Sequence, residues 1–468
     1  MPSELARILR KKFLKEILIF KRKESMQKVN AIGLIDQTML NKHHKLLVFW
    51  CSIIMLFDGY DLVIYGSVLP HLMTEWQLSP QTAGLLGAAS LMGMMIGAVT
   101  LGMAADKFGR KNVIIACIVL ASIAVALNGF AYDTTTFFIC RLLTGIGLGG
   151  AVPNLVTIVK EMSPNTHRNR LITLVLAFYG VGAILSGLSG LYFIPRMGWQ
   201  ITFWAAGLFI FVIPFIYKTF PESLSYLIHK NRQAEVVKTL EKFSPQHQHQ
   251  PDMTYIVETA KHSSNIPVVG LFTEGRALGT LLIWWGFAMV MLMVYGLNTW
   301  LPKLMNIGGY SLGSSISFLV TLNIGAILGT LIFGMLADKI GTKKALISGY
   351  LLSVVSISCL GFHPPTILLT LLLIIAGGAT VGTMAVIHAL AADFYPTRVR
   401  STGVSFSAAM GRFGAISGPL FGGFLLTINL PFEQNFMVFS IPGIIGAIAI
   451  ILFNQPKSSV AQQVVKEH

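Results

Sequence analysis

The chain has 468 residues, of which 54% are hydrophobic and only 12% charged, against about 25% charged residues in ordinary soluble domains. Its formal net charge is +15 at pH 7, and its four cysteines show no metal-ligand or redox spacing. This composition excludes a soluble enzyme and a disulfide-rich secreted domain. It predicts an all-α protein that crosses a membrane many times.

Residues 1–45 form a basic segment ahead of the first long apolar run. The apolar residues between positions 5 and 20 recur on one helix face among lysines, which is typical of a helix lying on the inner leaflet; a disordered tail is the alternative. The segment does not resemble a cleavable secretion signal, because the first apolar run is too long and has no small-residue cleavage site. We therefore expect a cytoplasmic N-terminal segment.

Apolar runs of about 20 residues, enough to cross a bilayer as a helix, recur along the rest of the chain. Their number predicts twelve transmembrane helices. The runs lie at residues 46–69, 82–104, 112–131, 136–159, 171–194, 200–217, 278–301, 312–336, 344–362, 366–391, 402–427 and 435–453.

The first run contains two acids, Asp58 and Asp61, in a stretch that should be buried. A charged side chain near the bilayer centre costs at least about 2.5 kcal/mol, so it usually has a partner or a function. Their i, i+3 spacing puts both acids on one helix face, and Gly59 between them lets another backbone approach closely. We interpret them as proton-coupling residues. A structural polar pair satisfied by a neighbouring helix is the alternative.

Two arginines also lie inside apolar runs, and the helical rise of about 1.5 Å per residue gives their depths. Arg141 in the fourth run lies at a depth similar to Asp61, so the two residues are expected to pair. Arg412 in the eleventh run lies about 16 Å from its inner end, near the middle of a core about 30 Å thick. No acid of its own half lies at that level, so Arg412 suits a ligand carboxylate held by two hydrogen bonds. Pairing with Asp58 across a cavity is the alternative.

Four other polar residues inside predicted helices are candidate substrate contacts, together with Arg412 and Arg141. For the histidine among them, a satisfied core residue and a proton carrier are both open interpretations. These four residues are Tyr179, Asn298, Asn323 and His388.

Lysine and arginine are distributed unevenly between the two sides of the predicted bundle. With both termini placed inside, 31 of the 35 basic residues fall on inner segments, and only Arg196 and Lys303 fall on outer loops. This strong positive-inside bias puts both termini in the cytoplasm. It also explains the net positive charge without a nucleic-acid partner.

The chain repeats itself at one fixed offset. The decapeptide that starts at Gly102 recurs in similar form at Gly334, 232 residues later, and Leu69-Pro70 recurs as Leu301-Pro302 at the same offset. Two six-helix halves with a site between them at the membrane midplane are the plan of alternating-access carriers. The expected divisions are a basic segment 1–45, a first bundle 46–218, a cytoplasmic linker 219–276, a second bundle 277–455 and a tail 456–468.

Several motifs resemble one transporter family. GMAADKFGRK at 102–111 is similar to the loop signature of the major facilitator superfamily. Within that superfamily, the motifs resemble the aromatic acid:proton symporters, the bacterial benzoate and hydroxybenzoate carriers. They are DGYD at 58–61, RLLTGIGLGGAVPN at 141–154, PESLSYL at 221–227 and FYPTRVRSTGVSFSAAMGRFGAISGP at 394–419. The resemblance covers roughly residues 40–455 and implies the major facilitator fold.

The resemblance also implies a gate at the inner ends of the helices, in which the loop around Asp106 latches the inner side while the cavity faces outward. A nearby helix N-terminus and Arg110 are expected to hold Asp106. The second copy has Thr342 where the first has Arg110, so Asp338 should matter less. The implied gating residues are Gly102, Asp106, Gly109, Arg110, Glu161, Arg168, Asp338, Asp393 and Arg400.

The function expected from these features is proton-coupled import of a small aromatic carboxylate, such as benzoate or a hydroxybenzoate, across the bacterial cytoplasmic membrane. No nucleotide-binding loop, cofactor motif, metal-ligand cluster or catalytic constellation stands in the sequence, so the chain is not expected to be an enzyme. The expected partners are the substrate, protons and the lipid bilayer, and the expected state is a monomer. The alternatives are a proton-coupled exporter or drug antiporter, or a carrier of a sugar or another organic acid such as nicotinate or muconate.

Overall fold

The computed structural model describes residues 27–247, 253–257, 268–396 and 398–454. The predictions for residues 5–20 and for the tail 456–468 concern residues outside these ranges. In chain order the elements are β1 (Gln27–Asn30), α1 (Ala31–Asp36), α2 (Lys42–Glu75), α3 (Pro80–Phe108), α4 (Arg110–Asn128), α5 (Thr134–Met162), α6 (Arg168–Met197), α7 (Gln200–Gly207), α8 (Ile213–Thr219), α9 (Leu224–His229), α10 (Gln233–Phe243), β2 (Met253–Ile256), α11 (Ala277–Ile307), α12 (Leu312–Ile340), α13 (Thr342–Leu360), α14 (Thr366–Phe394), α15 (Arg400–Thr427) and α16 (Phe432–Leu452).

Eleven helical segments of the described chain are long and apolar enough to cross a membrane, and one of them combines α7 and α8 as Gln200–Thr219. The twelfth is α15. Its 28 residues are long enough to cross a membrane, but glycine, serine and Arg412 lower its hydropathy. Between α7 and α8 the chain forms a 3₁₀ turn at Leu208–Val212, next to Pro214, which has no N–H for the helical ladder. The protein is a bundle of twelve spanning helices, as the apolar runs predict.

The spanning helices connect two faces of the bundle, which we call the linker face and the far face. At the start of α2, the side chain of Asn41 donates hydrogen bonds to the carbonyl oxygens of Lys242 (2.9 Å) and Phe243 (3.2 Å) in the linker. At its end, Glu75 accepts a hydrogen bond of 2.7 Å from the indole of Trp199. α2 therefore runs from the linker face to the far face, and the following spanning helices alternate in direction.

The two six-helix halves are copies in three dimensions as well as in sequence. Gly145 of α5 packs so closely on α3 that an added Cβ would overlap the carbonyl oxygen of Ser90. Gly377 of α14 packs in the same way on the carbonyl oxygen of Leu322 in α12, and both residues lie 232 positions after their counterparts. Small residues allow membrane helices to approach this closely, so the repeated glycines preserve the same helix packing in both halves.

The two halves meet most closely on the side of the far face. α2 meets α11 where an added Cβ on Gly66 would overlap the carbonyl oxygen of Asn298, and α3 meets α15 where Gly84 faces the carbonyl oxygen of Pro419. α6 meets α12 beside Gly187. These contacts lie from the middle of the helices outward to the far face, so the far face is closed.

At the linker face, the ends of the same helices stand apart. Gly102 of α3 and Gly334 of α12 have no atom within 4 Å of the position that a Cβ would take. The acids just beyond them, Asp106 and Asp338, are exposed, as is Asp393 at the end of α14. We infer that a cleft between the halves opens to the linker face.

The N-terminal segment and the linker form one small layer on the linker face, which the sequence does not predict. β1 pairs in parallel with β2, with Val29 opposite Tyr255. Ala31 and Ile35 of α1 are fully buried in a core that also contains Leu240 of the linker and residues of the first half. This layer thus ties the start of the chain to the linker.

Candidate functional site

Arg412 lies near the middle of α15, on the side that faces the other half. Two residues later, Gly414 packs so closely on α11 that an added Cβ would overlap the carbonyl oxygen of Ala288, and this contact fixes how α15 is rotated. Nη1 of Arg412 lies 3.8 Å from the sulfur of Met94 on α3. Within the described part of the chain, the guanidinium has no other hydrogen bond and no ion pair. It is therefore available to a ligand.

Asp58 lies near the middle of α2 and is only 3% exposed, and its Oδ1 has no hydrogen-bond partner in the described residues. Its charge interacts with that of Arg412, yet the two groups do not form an ion pair within 4 Å. Tyr179 of α6 and Tyr295 of α11 interact with both charges and with each other. Gly59 permits this arrangement, because an added Cβ there would overlap the Tyr179 carbonyl oxygen. Four helices from both halves thus meet at one level, and we call Asp58, Tyr179, Tyr295 and Arg412 the midplane cluster.

Asp61 and Arg141 form an ion pair inside the first half. Nη1 of Arg141 donates to Oδ1 of Asp61 at 2.7 Å and to its carbonyl oxygen at 3.2 Å, and Ser90 donates to Oδ2 at 3.1 Å. Both side chains are at most 1% exposed, and the guanidinium lies 5.8 Å from the centre of the Tyr65 ring. The pairing predicted from depth is confirmed. Asp58 and Asp61, which the sequence predicts to act together in proton coupling, therefore have different partners. Arg141 is buried away from the cleft in this structure.

Two asparagines link α11 to α12 beside the contact between the halves. Nδ2 of Asn323 donates to Oδ1 of Asn298 at 3.0 Å and to the carbonyl oxygen of Leu319 at 2.9 Å. Nδ2 of Asn298 donates to the carbonyl oxygen of Val294 at 2.8 Å. Each amide is thus anchored to its own helix.

His388 lies in α14, nearer the linker face than Arg412. Its Nδ1 is 2.8 Å from the carbonyl oxygen of Met384, and its ring meets the Phe287 ring edge-on with centroids 4.7 Å apart. Because a carbonyl only accepts, Nδ1 carries the proton and Nε2 of a neutral ring is the acceptor. The site of this histidine is electrostatically coupled to Arg412, so it borders the midplane cluster on the linker side.

A second polar cluster joins α4, α5 and the linker at the linker face. Arg110 forms an ion pair with Glu161, and Glu161 also accepts hydrogen bonds from Ser223 (2.6 Å) and Ser225 (2.9 Å). Glu222 accepts a hydrogen bond of 3.1 Å from the backbone N–H of Lys111. The sequence indicated Arg110 and Glu161 but not the two serines or Glu222, although all three belong to the PESLSYL stretch that carries the family resemblance.

Arg110 holds Asp106 only through a long ion pair. Nη2 of Arg110 is 3.9 Å from Asp106, whose side chain is 81% exposed, because Glu161 competes for the same guanidinium at shorter range. Asp106 also lies in the last turn of α3, where the helix ends at Gly109 with a positive φ of 94°. Arg110 is therefore bound mainly to Glu161 in this structure, and the latch stays a prediction.

The second half lacks an equivalent cluster within the described residues. Asp393 and Arg400, the counterparts of Glu161 and Arg168, are both exposed. Arg400 donates a hydrogen bond of 3.2 Å to the Tyr395 carbonyl oxygen. Arg168 forms an ion pair with Asp36 of the N-terminal segment, a partner that the sequence did not indicate. Among the described residues, the expected gating residues thus form ion pairs in the first half and not in the second.

No group of three histidine, cysteine, aspartate or glutamate side chains suited to a metal ion occurs in the part of the chain that the structure describes. The buried polar residues instead form the midplane cluster, the Asp61–Arg141 pair and the cluster at the linker face. An unpaired guanidinium, a buried carboxylate and two tyrosine hydroxyls can bind an anion and exchange a proton beside it.

Comparison with known proteins identifies relatives over most of the chain. The Major Facilitator Superfamily profile matches residues 51–328 and 311–467. The benzoate transport protein of Acinetobacter baylyi is 38% identical over 93% of this chain and 97% of its own length. The gallate transporter of Pseudomonas putida is 31% identical over 89% of this chain and 93% of its own length. The 4-hydroxybenzoate transporter PcaK of Acinetobacter baylyi is 33% identical over 91% of this chain and 94% of its own length.

Solved structures share the fold at low sequence identity. The inward open xylose transporter XylE from E. coli superimposes with a TM-score of 0.71 at 17% identity, covering 88% of this chain and 96% of its own. A bacterial homolog of the human lysosomal transporter Spinster superimposes with a TM-score of 0.69 at 17% identity, covering 89% of this chain and 98% of its own.

Proposed function

This chain belongs to the major facilitator superfamily, and we propose that it is a proton-coupled symporter that imports a small aromatic carboxylate by alternating access. The observation that carries the proposal is Arg412, a midplane guanidinium that faces the cleft without an acid bonded to it. An anion that enters such a cleft loses water, which is costly unless a cation replaces that water. The planar guanidinium can donate two parallel hydrogen bonds to a carboxylate. The relatives are named for benzoate, gallate and 4-hydroxybenzoate, which are all aromatic carboxylates.

Asp58 couples the proton to the substrate in this proposal. Its carboxylate faces the same guanidinium, and one of its oxygens has no partner in the described chain. When a substrate carboxylate binds to Arg412, an ionised Asp58 leaves two anions beside one cation. Substrate binding is therefore favoured when Asp58 carries a proton, and release of both to the cytoplasm restores the empty site.

Asp61 contributes to proton coupling in this proposal through its ion pair with Arg141 rather than through contact with the substrate. Both of its oxygens are bonded, and the pair holds α2, α3 and α5 together. Tyr65, one turn further along α2, lies over Arg141 and donates a hydrogen bond of 2.6 Å to the Ala83 carbonyl oxygen near the far face. A proton on Asp61 would loosen this link, so we propose that Asp61 relates proton binding to opening of the far face.

The other sequence candidates line the route of the substrate. Tyr179 and Tyr295 place their rings and hydroxyls beside the carboxylate site at Arg412. Asn298 and Asn323 lie between this site and the far face. His388 lies on the linker side, where its free Nε2 can meet a departing ligand or proton.

The linker face is the cytoplasmic face in this proposal, because 31 of the 35 lysines and arginines belong to the segments that the sequence assigns to the inner side. Both termini are then cytoplasmic, and the structure represents the state that releases substrate into the cell. The gating residues at that face alternate between the open arrangement seen here and a latched one. The chain is proposed to work as a monomer in the bacterial cytoplasmic membrane.

The decisive experiment measures how tightly the purified protein binds benzoate and the uncharged analogue benzamide, with and without Arg412. The wild type should bind benzoate far more tightly than benzamide. Arg412→Ala should weaken benzoate binding about a hundredfold, because it leaves a buried carboxylate without its cation. Arg412→Lys should weaken it about tenfold, because the planar fork is lost while the charge remains.

Arg196→Ala is the matched control, because Arg196 is an exposed far-face arginine whose contacts in the described chain are with Tyr192 of its own helix, through the carbonyl oxygen and the ring. It should bind benzoate like the wild type. Equal affinities for benzoate and benzamide, or an Arg412→Ala variant with unchanged benzoate binding, would overturn the carboxylate site. Uptake of labelled benzoate by cells, with its loss on adding an uncoupler, tests the proton coupling separately.

A further inference from the structure

Asn323 presents a hydrogen-bond acceptor whose orientation is fixed by its surroundings. Both hydrogens of its Nδ2 are used, one by Leu319 and one by Asn298. The Leu319 and Val294 carbonyl oxygens can only accept, so each amide must direct its nitrogen to its own helix. In the described chain the Oδ1 of Asn323 therefore has no hydrogen-bond partner, and one hydrogen of the Asn298 Nδ2 is likewise unused.

Asn323 lies on the face of α12 that meets the other half. Val320 and Ile327, three residues before and four after it, contact Gly187 and Gly180 of α6. Asn323 is between these two contacts, so it faces the first half near the membrane midplane.

The free oxygen of Asn323 keeps a small exposed surface. It has no partner in the described chain, but it is not among the fully enclosed unpartnered atoms, as the oxygens of Asn128 and Asn435 are. The side chain as a whole is only 4% exposed. The small exposed part therefore includes an acceptor.

The difference in depth between Arg412 and Asn323 is close to the length of a small aromatic acid. By helical rise, Arg412 lies about 18 Å from the linker-face end of α15 and Asn323 about 26 Å from that of α12. Tyr295, which interacts with Arg412, lies one turn before Asn298 in α11, and Asn298 bonds to Asn323. A ring that extends from a carboxylate on Arg412 toward the far face therefore brings its para position toward Asn323. The counterpart of Asn323 in the first half is Leu91, which has no acceptor.

We propose that Asn323 is a specificity-determining residue whose Oδ1 accepts a hydrogen bond from a ring hydroxyl para to the carboxylate. The preferred substrate is then a 4-hydroxylated benzoate rather than benzoate itself. This proposal rests on the proposed function, because it requires the carboxylate to bind at Arg412. An acceptor that is stripped of water and left unpaired weakens binding of a ligand without a donor, whereas the para hydroxyl satisfies it.

The test compares 4-hydroxybenzoate with 4-methylbenzoate, which has a para group of similar size but no donor, on the purified full-length protein. The wild type should bind 4-hydroxybenzoate about tenfold more tightly than 4-methylbenzoate. Asn323→Leu, which installs the residue of the first half, should abolish this preference while 4-methylbenzoate binds at least as tightly as before. Asn154→Leu is the matched control, since the amide of Asn154 is buried in α5 and bonds to the Gly150 carbonyl oxygen; it should keep the preference.

Two results would overturn the inference: a wild type that does not distinguish the two ligands, or an Asn323→Leu variant that still prefers the hydroxyl. The wild-type comparison needs no variant, so it decides the matter even where Asn323→Leu fails to fold. Failure of the proposed function is a different result, in which neither acid binds or binding does not depend on Arg412.

Discussion

The two pairs of buried charges in this protein differ in how fully their hydrogen-bonding groups are satisfied. Arg141 and Asp61 satisfy each other in full, and removing one partner of such a pair typically costs about 3–5 kcal/mol of stability. Arg412 and Asp58 lie at a similar depth but keep unused hydrogen-bonding capacity toward the cleft. The first pair is suited to holding helices together and the second to exchanging ligands.

Asp58→Asn should separate proton coupling from substrate binding. The amide imitates the protonated acid, so benzoate should still bind and exchange across the membrane, but uptake should no longer accumulate substrate along a proton gradient. Accumulation and counterflow in proteoliposomes measure the two properties.

Asp61→Asn should also abolish accumulation, but through a different cause. It leaves Arg141 buried without its acid, so the melting temperature should fall markedly in this variant and hardly at all in Asp58→Asn. Should both variants concentrate substrate like the wild type, and lose it on adding an uncoupler, neither acid couples the proton.

Helices α3 and α15 close the far face through backbone contacts rather than through large side chains. An added Cβ on Gly84 would lie 2.7 Å from the Pro419 carbonyl oxygen, and one on Gly423 would lie 2.5 Å from that of Pro80. Trp300 of α11 supports this contact by donating a hydrogen bond of 2.8 Å to Pro419. Such close approach depends on small residues, so these glycines stabilise the closed far face.

Gly84→Ala and Gly423→Ala should shift the protein toward the state that is open at the far face. Each added methyl group forces α3 and α15 apart there, while the contacts within each half remain. Spin-label distances across the far face should lengthen, and a cysteine placed in the cleft should become reachable from outside. Gly313→Ala is the control, because no atom lies within 4 Å of its added Cβ; an equal shift in this control would show that the contact is not the cause.

Across the whole molecule, the halves share their packing but not their charges. The glycine contacts between α3 and α5 recur between α12 and α14, whereas the cluster around Glu161 has no assembled counterpart at Asp393 among the residues that the structure describes. The linker contributes Ser223 and Ser225 to the first cluster only. Because this cluster binds the linker to the first half, we expect residues 222–225 to move with the first half when the halves rock.

Asp106→Asn should slow transport without removing equilibrium binding of substrate. The residue is exposed at the linker face, far from the midplane cluster, and by family resemblance it engages only when that face closes. Initial uptake rates and ligand affinity of the purified protein are the two measurements. Asp338→Asn should have the smaller effect, and loss of affinity in a folded Asp106→Asn protein would contradict a latch.

The sequence by itself determined the number of spanning helices, the tandem repeat and the depth of each charged residue. These follow from local quantities: the length of an apolar run, a fixed offset between motifs and a constant rise per residue. They were sufficient to pair Asp61 with Arg141 and to place Arg412 at the midplane. The family resemblance added the transporter class.

Only the tertiary structure decided which side chains share a partner and which face of the molecule is closed. Depth along a helix does not fix rotation about its axis, so the separate surroundings of Asp58 and Asp61 could not be read from their spacing. Competition for one guanidinium likewise left Asp106 with only a long ion pair once Glu161 reached Arg110. The pairing of β1 with β2 joins residues more than two hundred positions apart, and contacts between such distant segments are decided by packing of the whole chain.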